Sequence, residues 1–121
     1  MLDYKIKVGG AEYPVRCSAL TPRIYRAASG RDMVIDMMRL ENALKDVRDG
    51  KAEYSAVDLE TFEYLTWAMV KCADKENVPN DPDEWLDTIP GFFSIYEALP
   101  QIMAVWADSN KTTSVPAKKA E

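Results

Sequence analysis

Histidine is absent from this chain, cysteine occurs twice, and basic residues are outnumbered by acidic ones. Without histidine, the side chain that most often acts as general base and zinc ligand is missing. Cys17 and Cys72 are far apart and have no C-x-x-C spacing, so neither a metal knuckle nor a disulfide framework is expected. Free thiols of this kind fit a reducing cytoplasm. Fifteen Lys+Arg against 20 Asp+Glu leave a net charge of −5, which argues against a phosphate-binding face and hence against nucleic acid. No apolar run approaches the roughly 18–20 residues of a membrane span, and Met1-Leu2-Asp3-Tyr4-Lys5 lacks the apolar core of a signal peptide. No membrane partner is expected.

What is present suits one small folded unit. The chain has 121 residues, 47% of them hydrophobic and 29% charged, a size and balance typical of a single domain. Leu2, Tyr4, Ile6 and Val8 alternate with polar residues, as in a half-buried strand. Gly9-Gly10 can supply the positive φ angles of a two-residue turn, and Ala11, Tyr13, Val15 and Cys17 continue the alternation. A hairpin over 2–17 would pair Val8 with Ala11, Ile6 with Tyr13, Tyr4 with Val15 and Leu2 with Cys17. Pro14, which has no N–H, should face a free edge.

The remainder reads as helices. Thr21 is the expected cap of a short helix that carries Pro22 and stops at Gly30. Asp32 caps a second helix to about Arg48, with a stripe of Met33, Met37, Leu40, Leu44 and Val47. A third spans about 57–75, with Leu59, Phe62, Leu65, Met69, Cys72 and Ala73 on one side. The Pro- and Asn-rich segment 77–83 is a loop followed by one helical turn at Trp85. A last helix over about 90–108 should be kinked by Pro100. Residues 109–121 have almost no large apolar side chain and read as a disordered tail. The fold class is therefore α+β, mostly α. One domain is expected over 1–108, with the hairpin packed on a bundle of about four helices and the tail at 109–121.

Catalytic equipment is scarce. The acidic group Asp81, Asp83, Glu84 and Asp87 lacks the glycine and distal glutamate of a calcium loop, and suits a helix N-terminus. Ser29 has no histidine to activate it, and Cys17 and Cys72 fall on apolar faces. Arg23, Arg26 and Arg31 read as a solvated basic face. No catalytic residue, cofactor or metal is expected. The distinctive feature is surplus apolar surface. Val34, Ile35, Met38, Tyr64, Trp67 and Phe93 lie off the main helical stripes, as core packed on two sides or as contacts for a partner. Met38, Tyr64, Trp67 and Phe93 are the candidate partner-binding residues.

The order of these parts resembles the tail assembly chaperones of long-tailed bacteriophages and prophages. The opening Tyr4-Lys5-Ile6-Lys7-Val8-Gly9-Gly10-Ala11-Glu12-Tyr13-Pro14-Val15-Arg16 carries the likeness. So do the acidic amphipathic helices and the closing Ile95-Tyr96-Glu97-Ala98-Leu99-Pro100-Gln101-Ile102-Met103 with Trp106. The resemblance implies a non-enzymatic protein of the host cytoplasm that coats the tape measure protein, assists the tail tube protein and self-associates. It also implies absence from the mature virion. Genes of this family often yield a longer product by ribosomal slippage, and Ala117-Lys118-Lys119 can be encoded across an A-AAA-AAG heptamer. The alternative is a virion structural protein, such as a tail completion or head–tail connector subunit.

Overall fold

A computed structural model of the chain describes the backbone of residues 3–119 apart from Ala52 and Phe92, with side chains from Tyr4 to Ser109. Strands β1 (Asp3–Val8) and β2 (Ala11–Arg16) form an antiparallel hairpin. Gly9 and Gly10 turn the chain at φ 58° and 83°, as a primed two-residue turn requires. Val8 faces Ala11, Ile6 faces Tyr13 and Tyr4 faces Val15, the register expected from the alternation. The expected Leu2–Cys17 pair lies outside the described residues.

Both edges of this small sheet are managed. Gln101 clamps the β1 edge: its Oε1 accepts from the Lys7 N–H at 2.9 Å and its Nε2 donates to the Lys7 carbonyl at 3.0 Å. Lys7 therefore turns its backbone groups away from β2, and Lys5, two residues earlier, does the same. Pro14 is the partner of Lys5, so its missing N–H also falls on the outer side and costs no ladder bond.

Helix α1 (Thr21–Ser29) has Pro22 in its first turn and ends at Gly30, whose φ of 73° suits glycine and whose N–H donates to the Arg26 carbonyl. Leu20, not Thr21, holds the cap position. Thr21 is the first helical residue and is buried, because its hydroxyl is used elsewhere. It accepts from the Ser18 N–H at 2.9 Å and lies 3.1 Å from the Arg16 carbonyl and 3.3 Å from Cys72 Sγ. Helix α2 (Met33–Arg48) starts at Asp32, whose carboxylate accepts from the Ile35 N–H. Helix α3 (Ala56–Ala73) begins with a reciprocal capping box between Ser55 and Asp58. Asp81 caps α4 (Pro82–Asp87), and Asp83 and Glu84 lie in its first turn, near the positive end of the helix dipole.

The closing segment differs from the expected single kinked helix. A short 3-10 turn, Ser94–Ala98, leads into α5 (Leu99–Lys119). Pro100 thus occupies the first turn of α5, where its N–H would have no intrahelical partner, and it opens a helix instead of bending one. Phe92, expected on the stripe of this segment, lies outside the described residues. Helical backbone continues to Lys119, into the stretch read from sequence as a tail. Side chains from Asn110 onward lie outside the described residues.

Helix α3 is the centre of the fold. Phe62 and every residue from Leu65 to Val70 are buried, so this helix is covered on nearly all sides. The hairpin lays Ile6, Val8 and Val15 into the core, with β2 against α3 and β1 against the 3-10 turn and α5. Tyr13 meets Trp85 edge to face at 5.6 Å, joining the hairpin to α4. Among the described residues no helix is long and apolar enough to cross a membrane.

Candidate functional site

Helix α2 presents an apolar face to solvent because its opposite side is fixed. Met33, Met37 and Leu40 are buried, and beside them lies the buried carboxylate of Asp36. That carboxylate accepts from the Tyr25 hydroxyl at 2.5 Å and from Arg31 Nε and Nη2 at 2.8 and 2.9 Å. Burial alone would raise the pKa of Asp36, but the hydrogen bonds from Arg31 and Tyr25 outweigh it and hold the carboxyl below its usual range. Burial, then the bond to Asp36, drives the Tyr25 hydroxyl well above its ordinary value. The network locks the rotation of α2 against α1. Val34, Ile35 and Met38 consequently point outward and are 48%, 51% and 57% exposed. Their spacings of three and four residues put them on one surface.

The four expected contact residues separate into two kinds. Met38 is exposed as expected, and Phe93, between α4 and the 3-10 turn, is the most exposed large apolar side chain described, at 70%. Trp67 is core instead. It is only 3% exposed, and its Nε1 donates to the Pro79 carbonyl at 3.0 Å. The physical reason is that α3 is packed on two sides, so a position opposite the main stripe meets the 77–83 loop and α1 rather than water. Tyr64 is half-buried against the edge of the core. Burial first, and then the carboxylates of Asp83 and Glu60, raise its pKa. Val57, 63% exposed in the first turn of α3, was not among the expected contacts.

Sequence reasoning also missed the Asp36 network. The available signal was a carboxylate on the side of α2 that carries the apolar stripe, five residues after an arginine. That arginine breaks up the basic group expected on the surface. Arg23 and Arg26 are exposed on α1, but Arg31 is paired.

The remaining reactive groups are engaged in packing. Ser29 Oγ donates to the Tyr25 carbonyl at 2.7 Å and accepts from the Arg31 N–H, bracing the end of α1. Both cysteines are free thiols; Cys72 is buried, and burial pushes the Cys17 thiol up. Tyr96 donates to Glu63 at 2.7 Å, and burial together with that bond raises its pKa to about 12. Tyr4 is hydrogen-bonded to Asp108, which raises its pKa to about 12. Among the described residues there is no group of three or more Cys, Asp or Glu side chains that could hold a metal ion.

No family model, curated protein or solved structure matches the chain.

Proposed function

We propose that the chain is a tail assembly chaperone of a long-tailed bacteriophage or prophage. In this reading it is a non-enzymatic protein that works in the host cytoplasm as a homo-oligomer. It binds the tape measure protein, and as a second client the tail tube protein, and leaves before the virion is complete. The observation that supports this reading is the outward apolar face of α2, Val34, Ile35 and Met38, on a helix whose other side is locked into the core. A rigid helix offering methionine and β-branched side chains to water suits an elongated apolar client, since methionine adapts to varied partners. Phe93 adds an exposed aromatic, the residue class enriched at interfaces.

The test is co-expression with the tape measure protein encoded nearby in the same genome. The native chain should keep the tape measure protein soluble. The double substitution Met38→Asp with Phe93→Asp should lose that effect while its circular dichroism and melting temperature stay the same. Unchanged client solubility with the double variant would remove both residues from the contact. Peptides of this chain in purified particles, found by mass spectrometry, would favour the virion structural subunit instead. The gene's nucleotides through Ala117, Lys118 and Lys119 supply an independent check. An A-AAA-AAG heptamer with an open −1 frame fits the chaperone reading, and codons that break the heptamer remove slippage from it.

A further inference from the structure

A second surface, separate from the outward face of α2, lies between α1 and the C-terminal end of α3. It is a trough of about 480 Å³, open to solvent along one side. Its apolar wall is built by Leu20 and Ile24 with the small side chains of Ala27 and Ala28, and Trp67 lies at its base. Trp67 is almost fully buried there and commits its one polar atom to the Pro79 carbonyl, so the base of the trough strands no donor.

The charge lining this trough has one sign. Its two charged side chains are Lys71 and Lys75, in a chain whose net charge is −5. The Lys71 ammonium is held in place by the carbonyls of Lys75 at 2.6 Å and Val78 at 2.5 Å. An ammonium has three donors, so one remains for an incoming acceptor. Glu76 and Glu84 do not line the trough; they line an adjoining polar hollow that shares Lys71, Lys75 and Asn80 with it. Among the described residues neither lysine forms an ion pair with a carboxylate.

We propose that this trough is a docking site for an amphipathic helix of a partner protein. The helix would lay an apolar stripe along Leu20, Ile24 and Ala27 and set carboxylates on its flank against Lys71 and Lys75. Helix-in-groove recognition takes apolar anchors at spacings of three and four residues, and the two lysines set orientation and charge preference. The site does not depend on the chaperone reading, and its test uses none of the residues that carry that reading.

The probe is a fluorescein-labelled helical peptide with leucines along one face and glutamates on the flanking positions, followed by anisotropy. A control peptide has lysine at every glutamate position. The glutamate peptide should bind the native chain about tenfold more tightly than the lysine peptide, with the preference shrinking as salt is raised. Lys75→Glu, at an exposed position, should erase that preference, and Ala27→Glu should abolish binding. Both variants should keep the native melting curve. Equal binding of the two peptides, or binding that survives Ala27→Glu, would overturn the proposal. Saturable binding of dodecanoate without peptide binding would overturn it in favour of a small anionic amphiphile. Sedimentation supplies the last arm: an oligomer that Ala27→Glu dissociates would make a second copy the occupant and overturn the partner helix.

Discussion

Asp36 shows how much one side chain can decide here. Its carboxylate is buried and receives three hydrogen bonds from two partners, and removing it strands the Tyr25 hydroxyl and one face of Arg31. Because Arg31 is 44% exposed, solvent screens part of the pair. Asp36→Ala should therefore cost about 2–3 kcal/mol, below the upper range for breaking a fully buried pair, as measured by urea unfolding. The pH dependence has a definite sign. A carboxyl whose folded pKa is lowered contributes stability above its unfolded pKa of about 3.9, and that stability is lost as pH falls through the folded value. Asp36→Asn should flatten the acid limb of the stability profile as pH falls below the ordinary carboxyl range. Trp67 and Met38 give the opposite pair of outcomes. Trp67→Asp should unfold the protein, with a cost above about 4 kcal/mol from the lost volume and a buried charge. Met38→Asp should change stability by less than about 0.5 kcal/mol. Thermal melts by circular dichroism distinguish the two.

At the scale of elements, the hairpin is held by side chains that come from the far end of the chain. Gln101 of α5 pairs with both backbone groups of Lys7, and Glu97 accepts from the Gly9 N–H at 3.1 Å. Gln101→Ala should speed amide exchange at Lys7 and lower stability by about 1–2 kcal/mol, the net worth of the two bonds. Gly9 is constrained twice. Its φ is 58°, and an added Cβ would lie 3.2 Å from the Pro90 ring. Gly9→Ala should cost about 1–2 kcal/mol in equilibrium unfolding. The strand register was legible because a period of two and a two-residue turn allow one pairing that keeps like residues together. The break before α5 was not. Pro100 is compatible with either a kink or a first turn, and the 3-10 turn ahead of it forms where β1 packs, a contact distant in sequence.

For the whole molecule, tyrosine hydroxyls tie distant segments together and set an alkaline limit. Tyr4 joins β1 to Asp108, Tyr25 joins α1 to α2, and Tyr96 joins the 3-10 turn to Glu63 of α3. All three have raised pKa values, near 12 for Tyr4 and Tyr96. An unfolded tyrosine loses its proton at about pH 10, so stability should be full below that pH and fall as pH rises toward the folded values. Tyr96→Phe should reduce this alkaline slope, read from urea midpoints between pH 9 and 11. The same molecule carries two separate apolar surfaces: the outer face of α2 with Met38, and the trough over Trp67 with its two lysines.

The sequence by itself determined the local facts. Alternation set the hairpin, the Asp32 cap set the start of α2, and glycines at positive φ set the turns, because each depends on neighbours within a few residues. Only the tertiary structure decided which apolar side chains meet water. Val34, Ile35 and Met38 are as apolar as the residues on the core side of α2, and the Asp36 clamp turns them outward. Trp67 sits as far from its helix's main stripe as a surface residue would, and the 77–83 loop with α1 buries it. Periodicity reports that a helix has two faces, whereas exposure depends on how many of them the remaining chain comes back to cover.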